Sequence, residues 1–299
     1  MTHSRSRAAK IWLGVGAAAV TSTTGAMASP QATSPDLSDK SAPRGGPYVW
    51  VAQSAAPAPA APAHDHGATA TQGGEGGESG AAANMPATIK FLRDIGLIRG
   101  HLLVGDELVQ LGRWEDGQPH FLHPVEEIYE AIRRPLKEKH IADFDGALKA
   151  LAQTVKAKKT EAYKQALARV DARLSEIETA ERAAAAGAWA PTIVATVVAL
   201  SQSAAGEYSG AIEDGRITKP VEYQDSRGFV FYGAKLLASV DHDLKTIDAE
   251  GLANLNTVYG ALKLAWPAPL PPEAPVLDPA GVLAAVSRFE LAASPFVNR

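Results

Sequence analysis

Apolar residues recur every three or four positions from residue 85 to the end of the chain, which is the period of an α-helix with one buried face. In the first such stretch, Ile89, Leu92, Ile95 and Leu102 follow this spacing. Predicted helices begin near Ile89, Pro119, Asp143, Thr160, Ile193, Val221, Leu252 and Pro279. No stretch alternates apolar and polar residues as a half-buried strand does, so the pattern predicts an all-α fold.

The predicted helices fall into two groups of four, residues 85–186 and residues 187–299. Because short loops make successive helices antiparallel neighbours, each group is expected to form an up-down unit like a four-helix bundle. Glu-Asp-Gly at residues 115–117 and again at 213–215 precedes a Pro-Val-Glu segment in both groups, which favours an internal duplication. In the second group, the helix from Ile193 is expected to run to Asp214 and to be closed by Gly215.

The N-terminal part of the chain differs in composition from the helical body. Residues 1–28 combine basic residues, a short apolar run and Ala-Met-Ala, which predicts a signal peptide and a periplasmic or secreted protein. Residues 29–84 are rich in Ala, Pro and Gly, which predicts a disordered linker. No later segment offers about twenty uncharged apolar residues, so no transmembrane segment is expected in the mature chain.

Composition excludes several classes of site. The chain has no cysteine, which excludes disulfides, Cys zinc sites and iron–sulfur clusters. Its formal charge of −4 argues against a nucleic-acid partner, because such proteins usually carry a basic face. Histidines, carboxylates and tyrosines are therefore the residues left to carry metal chemistry.

The most distinctive polar pattern is His120, His123 and Glu127, whose spacing of i, i+3 and i+7 puts all three on one face of a helix. Imidazole with carboxylate suits zinc, iron, manganese or copper(II). His101 and Glu107 on the preceding helix are further candidate ligands. The alternative is that these residues only decorate a solvated helix start, where acidic residues and proline are common.

A second polar pattern lies in the second group of helices. Glu222 and Asp225 are spaced i, i+3, and Glu207 is on the neighbouring helix, so the three carboxylates are candidate ligands of one ion. Tyrosines follow Glu207 and Glu222, and carboxylates with phenols favour a hard cation such as iron(III) over copper. The alternative is a network of helix caps and ion pairs with nearby basic residues.

Residues 207–225 contain, in order, Glu-Tyr, Ala, Asp-Gly, Glu-Tyr and Asp. This segment, within about residues 200–235, resembles the extracytoplasmic helical domain that precedes FTR1-family iron permeases. The resemblance implies a periplasmic helical protein linked to iron, with a membrane-bound metal transporter as a partner. The membrane helices of the permease and their Arg-Glu-x-x-Glu motifs do not occur here, so permeation itself is not implied.

Three functions fit these patterns. The first is a periplasmic or secreted metal-binding protein that assists iron handling, with zinc or copper(II) as other candidate ions. The second is a structural or partner-binding helical bundle without a metal. The third is a small metalloenzyme of the ferroxidase type with the same carboxylate and histidine ligands.

Overall fold

A computed structural model of the chain describes residues 85–297, and the predicted signal peptide and linker lie outside the described residues. The helices of this part are α1 (Ala87–Gln110), α2 (Trp114–His123), α3 (Tyr129–Glu138), α4 (Asp145–Lys156), α5 (Thr160–Ala185), α6 (Trp189–Gly210), α7 (Pro220–Ser239), α8 (Asp241–Ile247), α9 (Ala249–Lys263) and α10 (Pro279–Val297). The predicted all-α class is confirmed.

One small antiparallel hairpin interrupts the helices where a continuous helix was expected. Helix α6 ends at Gly210, and strands β1 (Ile212–Glu213) and β2 (Arg216–Ile217) pair before α7 begins. The turn between them has positive φ at Asp214 (50°) and Gly215 (73°). An α-helix cannot continue through left-handed backbone, so the prediction that it reaches Asp214 is wrong.

The segment around the predicted metal face begins earlier than expected. Helix α2 starts at Trp114 and contains Pro119 within it, so Pro119 does not open the helix. A π-helical turn, Pro124–Ile128, then joins α2 to α3. Such turns insert an extra residue into a helix and are frequent at functional sites. His123 and Glu127 therefore lie at this irregular point of the backbone.

The helices of both predicted groups share one hydrophobic core. Helix α1 packs against α6 and α7 as well as against α2, and α10 packs against α6 and α9. Residues 85–297 belong to one compact unit, and one cluster of buried side chains extends from Phe91 to Phe296. The boundary at residues 186/187 and the internal duplication stay predictions.

Close contacts at two glycines bring α1 near α7 and α2, two helices that carry other predicted ligands. A Cβ on Gly100 would lie 2.9 Å from the backbone of Gly228, so α1 and α7 cross almost backbone to backbone. A Cβ on Gly105 would lie 2.7 Å from the Phe121 ring and 3.2 Å from Cβ of His120. Side chains next to these crossings must therefore meet, because the helix axes leave little space between them.

Two stretches of the described chain are long and apolar enough to cross a membrane, by length and composition only: Thr160–Gly210 and Pro279–Val297. Core helices of soluble proteins pass the same test, and 44% and 39% of the apolar windows in these stretches are buried in the fold. The expected lack of a transmembrane segment in the mature chain stays a prediction.

Candidate metal centre

Three imidazoles converge on one carboxylate in the middle of the fold. Nδ1 of His101 lies 2.5 Å and Nδ1 of His120 lies 2.7 Å from Oδ1 of Asp225. Nδ1 of His123 lies 3.1 Å from Oδ2 of the same residue. These distances are in the range of charge-assisted hydrogen bonds, with the imidazoles donating to an ionised carboxylate. His101, His120, His123 and Asp225 are called the histidine–aspartate cluster below.

Three helices supply this cluster. His101 comes from α1, His120 and His123 from α2, and Asp225 from α7. His101 follows Gly100, and Asp225 precedes Gly228 by less than one helical turn, so the close crossing of α1 and α7 brings the two side chains together. The contact of Gly105 with His120 brings α2 to the same place.

The cluster is closed on its inner side. The exposed fraction is 1% for His101, 0% for His120 and 2% for Asp225. Nε2 of His120 lies 2.9 Å from Oε1 of Gln224, and the ring of Phe229 meets the ring of His101 edge to face at 5.0 Å. The side chain of His123 is less covered, with 21% exposed.

Charges within the cluster shift two pKa values in opposite directions. Burial alone would raise the pKa of Asp225, but the charges of His101 and His120 and the hydrogen bonds to both outweigh it and hold that pKa well below its usual range. Burial alone would lower the pKa of His123, but the hydrogen bond to Asp225 and the charge of that carboxylate raise it. The cluster therefore favours ionised Asp225 and protonated His123 when no other cation is present.

The donor atoms are close enough together to hold an ion. Ligand atoms of His101, His120 and Asp225 lie within 4.8 Å of one another, and this set is called the inner group. Ligand atoms of His101, His123 and Glu127 also lie within 4.8 Å of one another and form the outer group. Two histidines and one carboxylate are a ligand set of non-haem iron(II), and imidazole also suits zinc and copper(II). The residues present therefore fit a divalent transition metal.

Five of the eight predicted ligands are brought together, namely His101, His120, His123, Glu127 and Asp225. The expected second cluster of Glu207, Glu222 and Asp225 is not formed among the described residues that could hold a metal, because Asp225 faces the histidines instead. Glu207 is buried in the last turn of α6, and Glu222 is half-buried in the first turn of α7.

Glu107 lies in an ion pair in the described structure. Its carboxylate pairs with the guanidinium of Arg227, which also lies over the ring of Phe231 at 4.1 Å. This ion pair joins α1 to α7 beside the histidine–aspartate cluster, and neither of the two donor groups that could hold a metal includes Glu107. The prediction that Glu107 is a metal ligand stays a prediction.

Sequence reasoning did not place Asp225 with the histidines and did not include Gln224 at all. Asp225 is 124 residues from His101 and 105 residues from His120, so no local spacing connects them. The signal that existed was the pair of glycines, Gly100 and Gly228, because small residues on two helices indicate a close crossing. Side chains beside such a crossing are candidates for contact.

Comparison with protein families supports the resemblance seen in the sequence. Residues 191–298 match the family model of the iron permease-associated 4-helix bundle domain, so this part of the chain is similar to that domain. The match covers α6 to α10 and includes Asp225, whereas the histidines of the cluster lie before it. Comparisons with curated proteins and with solved structures give no match.

Proposed function

We propose that this protein binds a transition metal ion, iron(II) first, at the histidine–aspartate cluster and assists an iron transporter outside the cytoplasm. The observation that carries the proposal is the convergence of three imidazoles from two helices on the buried carboxylate of Asp225. Histidine and carboxylate donors at this spacing are rare in a helical core unless they bind an ion or stabilise one another.

The donor atoms of the cluster favour a different ion from the one that the second polar pattern of the sequence favours. The expected carboxylate and tyrosine site would have suited iron(III), but the cluster is rich in imidazole, which suits divalent iron, zinc and copper. Zinc and copper(II) are expected to compete with iron(II), because divalent ions bind such sites in the Irving–Williams order. The ion that is available where the protein acts would then decide which ion is carried.

The partner and the location are proposed from the similar family. The matched domain is described as iron permease-associated, so a membrane-bound iron transporter is the partner that we propose for this chain. The N-terminal residues predict export, which would put the protein in the periplasm or outside the cell. In this arrangement iron is cargo for transport and does not serve as a resident cofactor.

The proposal is tested with full-length protein purified without a histidine tag. Thermal melting is measured with and without iron(II) under anaerobic conditions, and in parallel with zinc and copper(II). Bound ion at a hundredfold excess over its dissociation constant should stabilise the fold by about 2.7 kcal/mol and raise the melting temperature. The double change His120→Ala, His123→Ala should abolish this rise.

A matched control is His242→Ala, because His242 is exposed on α8 and belongs to neither donor group. This variant should keep the full metal-dependent rise. If the parent protein shows no rise with any of the three ions, or if His242→Ala loses it as well, the cluster is not a metal site.

The competing function is a structural polar network in a bundle that binds no metal. The observation in its favour is that both oxygens of Asp225 already accept hydrogen bonds from imidazoles. A structural network predicts a large loss of metal-free stability in the His120→Ala, His123→Ala variant and no metal response in the parent. A metal site predicts a metal response in the parent. The loss of metal-free stability does not separate the two functions, because the double change removes two hydrogen-bond partners of the buried Asp225 carboxylate in either case.

A ferroxidase-type metalloenzyme is a further candidate, because the inner group has two histidines and one carboxylate. Repeated consumption of oxygen with added iron(II), measured with an oxygen electrode, would support turnover. Binding of iron(II) without oxygen consumption would support the carrier function.

A further inference from the structure

The two donor groups lie at different depths and share His101. In the inner group, His120 and Asp225 are almost fully buried. In the outer group, 21% of the His123 side chain and 23% of the Glu127 side chain are exposed. An ion from solvent therefore meets the outer group first, because the inner group is covered.

The side chain of His123 lies between the buried and the half-exposed carboxylates. Its Nδ1 lies 3.1 Å from Oδ2 of Asp225 in the cluster, and its Nε2 lies 3.9 Å from Oε1 of Glu127. One imidazole thus faces the buried carboxylate with one nitrogen and the half-exposed carboxylate with the other. Glu127, His123 and Asp225 therefore form a continuous series of donors. Polar atoms of successive members lie 3.9 Å and 3.1 Å apart.

The backbone at this point also favours the arrangement. The π-helical turn Pro124–Ile128 follows His123 and contains Glu127. Glu126, one residue earlier in the same turn, is exposed, whereas the side chain of Glu127 is half-buried and lies near His123. The turn thus supplies two adjacent carboxylates, of which only Glu127 belongs to a donor group.

We propose that the outer group is a capture position, from which a divalent cation passes through His123 and the shared His101 to its final position at the inner group. Glu127 is then a positioning residue for uptake and not a ligand of the retained ion. This inference rests on the proposed function, since it assumes that the cluster binds metal. It adds the route that the ion follows and names the residue that controls its rate.

The test is stopped-flow mixing of full-length protein with Co²⁺, followed by the visible absorption that Co²⁺ gains from nitrogen ligands. Glu127→Gln should slow binding on the order of tenfold, because the outer group loses its only carboxylate ligand, which would hold the arriving cation next to the imidazoles. Release should slow by the same factor, and the equilibrium dissociation constant should stay unchanged. A residue on the route changes both rates equally, since it does not alter the end states.

Glu126→Gln is the matched control, because it removes one negative charge from the same turn without touching a donor group. Its binding rate should stay close to that of the parent. Asp225→Asn should give the opposite result to Glu127→Gln, namely fast binding with a much weaker equilibrium affinity, since the capture position is intact and the inner group is not.

Three results would overturn the route. If Glu127→Gln and Glu126→Gln bind at equal rates, Glu127 has no part in uptake. If Glu127→Gln binds at the parent rate but releases Co²⁺ faster, Glu127 is a ligand of the retained ion. If the parent protein gives no absorption with Co²⁺ and no protection of its fold, the proposed function itself fails, and this result is distinct from the first two.

Discussion

Asp225 is the residue that joins the three histidines. Its side chain is almost fully buried, and it is an acceptor for imidazoles on two other helices. A buried carboxylate without such partners would be neutral, because burial disfavours the charged form. The imidazoles keep Asp225 ionised, and the same negative charge would attract a divalent cation. Stability of the metal-free fold and affinity for a metal therefore depend on one group.

The response to pH follows from the raised pKa of His123. In the metal-free protein, the folded pKa lies above the unfolded value of about 6.5, so the stabilisation is fully present below that pH and is lost as pH rises through the folded pKa. A metal needs neutral imidazole, so affinity should increase as pH rises through the same window. The metal-dependent rise in melting temperature should therefore grow with pH.

Melting curves with and without zinc, collected at intervals from about pH 6 upward, check this expectation. His123→Ala should flatten the dependence in this window, because it removes the titrating group. If the metal-dependent rise stays constant across the window, protonation of His123 does not compete with metal binding.

At the scale of the helices, the crossing of α1 and α7 determines whether the cluster can form. Gly228 faces the carbonyl oxygen of Gly100, and a Cβ at Gly228 would clash with it. Gly228→Ala should force the two helices apart and cost about 1–3 kcal/mol of the free energy of unfolding. It should also weaken metal binding, because Asp225 moves away from His101.

Gly260→Ala is the control for this change. Gly260 lies in helix α9, is exposed, and has no atom within 4 Å of an added Cβ. This variant should gain about 0.5–1 kcal/mol, because alanine favours a helix more than glycine does. Urea unfolding measures both effects. A stable Gly228→Ala variant with parental metal affinity would show that the close crossing is not needed.

The positions of most helices were predictable from the sequence, apart from the start of α2, the end of α6 and the short α8, whereas the cluster was only partly predictable. Helix periodicity is local, so Ile89 to Leu108 and the start of α5 at Thr160 could be read from spacing alone. The shared face of His120 and His123 is local in the same way. Their contact with Asp225 depends on how three helices cross, which spacing along the chain does not encode.

Helix crossing also explains why Glu222 and Asp225 are not brought to one donor group. Glu222 and Asp225 are three residues apart on α7, and this spacing predicted that both would face one ion. Residues three apart share a face only approximately, and α7 is covered by α1 on the side of Asp225. Glu222 stays half-buried at the start of the helix. Tertiary packing therefore divides a pair that helix geometry alone would keep together.

For the whole molecule, the cluster lies at the junction between the matched and unmatched parts of the chain. The match to the iron permease-associated domain begins at residue 191, so it includes Asp225 and Gln224 but none of the cluster histidines. The segment before the match supplies all three imidazoles and packs α1 on α6 and α7. Metal binding by this cluster would thus require the helices that precede the matched domain, because they supply the imidazoles.

A fragment of residues 187–299 tests this dependence. Without α1, the side of α7 that carries Gly228 and Phe229 would lose its cover, and Phe229 is fully buried in the described structure. The fragment should therefore bind a hydrophobic dye, unfold less cooperatively in urea than residues 85–299 do, and show no metal response. A fragment with cooperative unfolding and no dye binding would show that residues 187–299 form an independent domain.

The distance along the chain between the ligands has a consequence for folding kinetics. His101 and His120 are separated from Asp225 by 124 and 105 residues, so their contact forms only after a large part of the fold has closed. A metal should then slow unfolding and leave the refolding rate nearly unchanged, as stopped-flow measurements with and without zinc would show. A partly synthesised chain that ends before α7 has the histidines but not the carboxylate. It would hold an ion only weakly, so a retained ion would report that α7 has been made and has packed against the helices that carry the histidines.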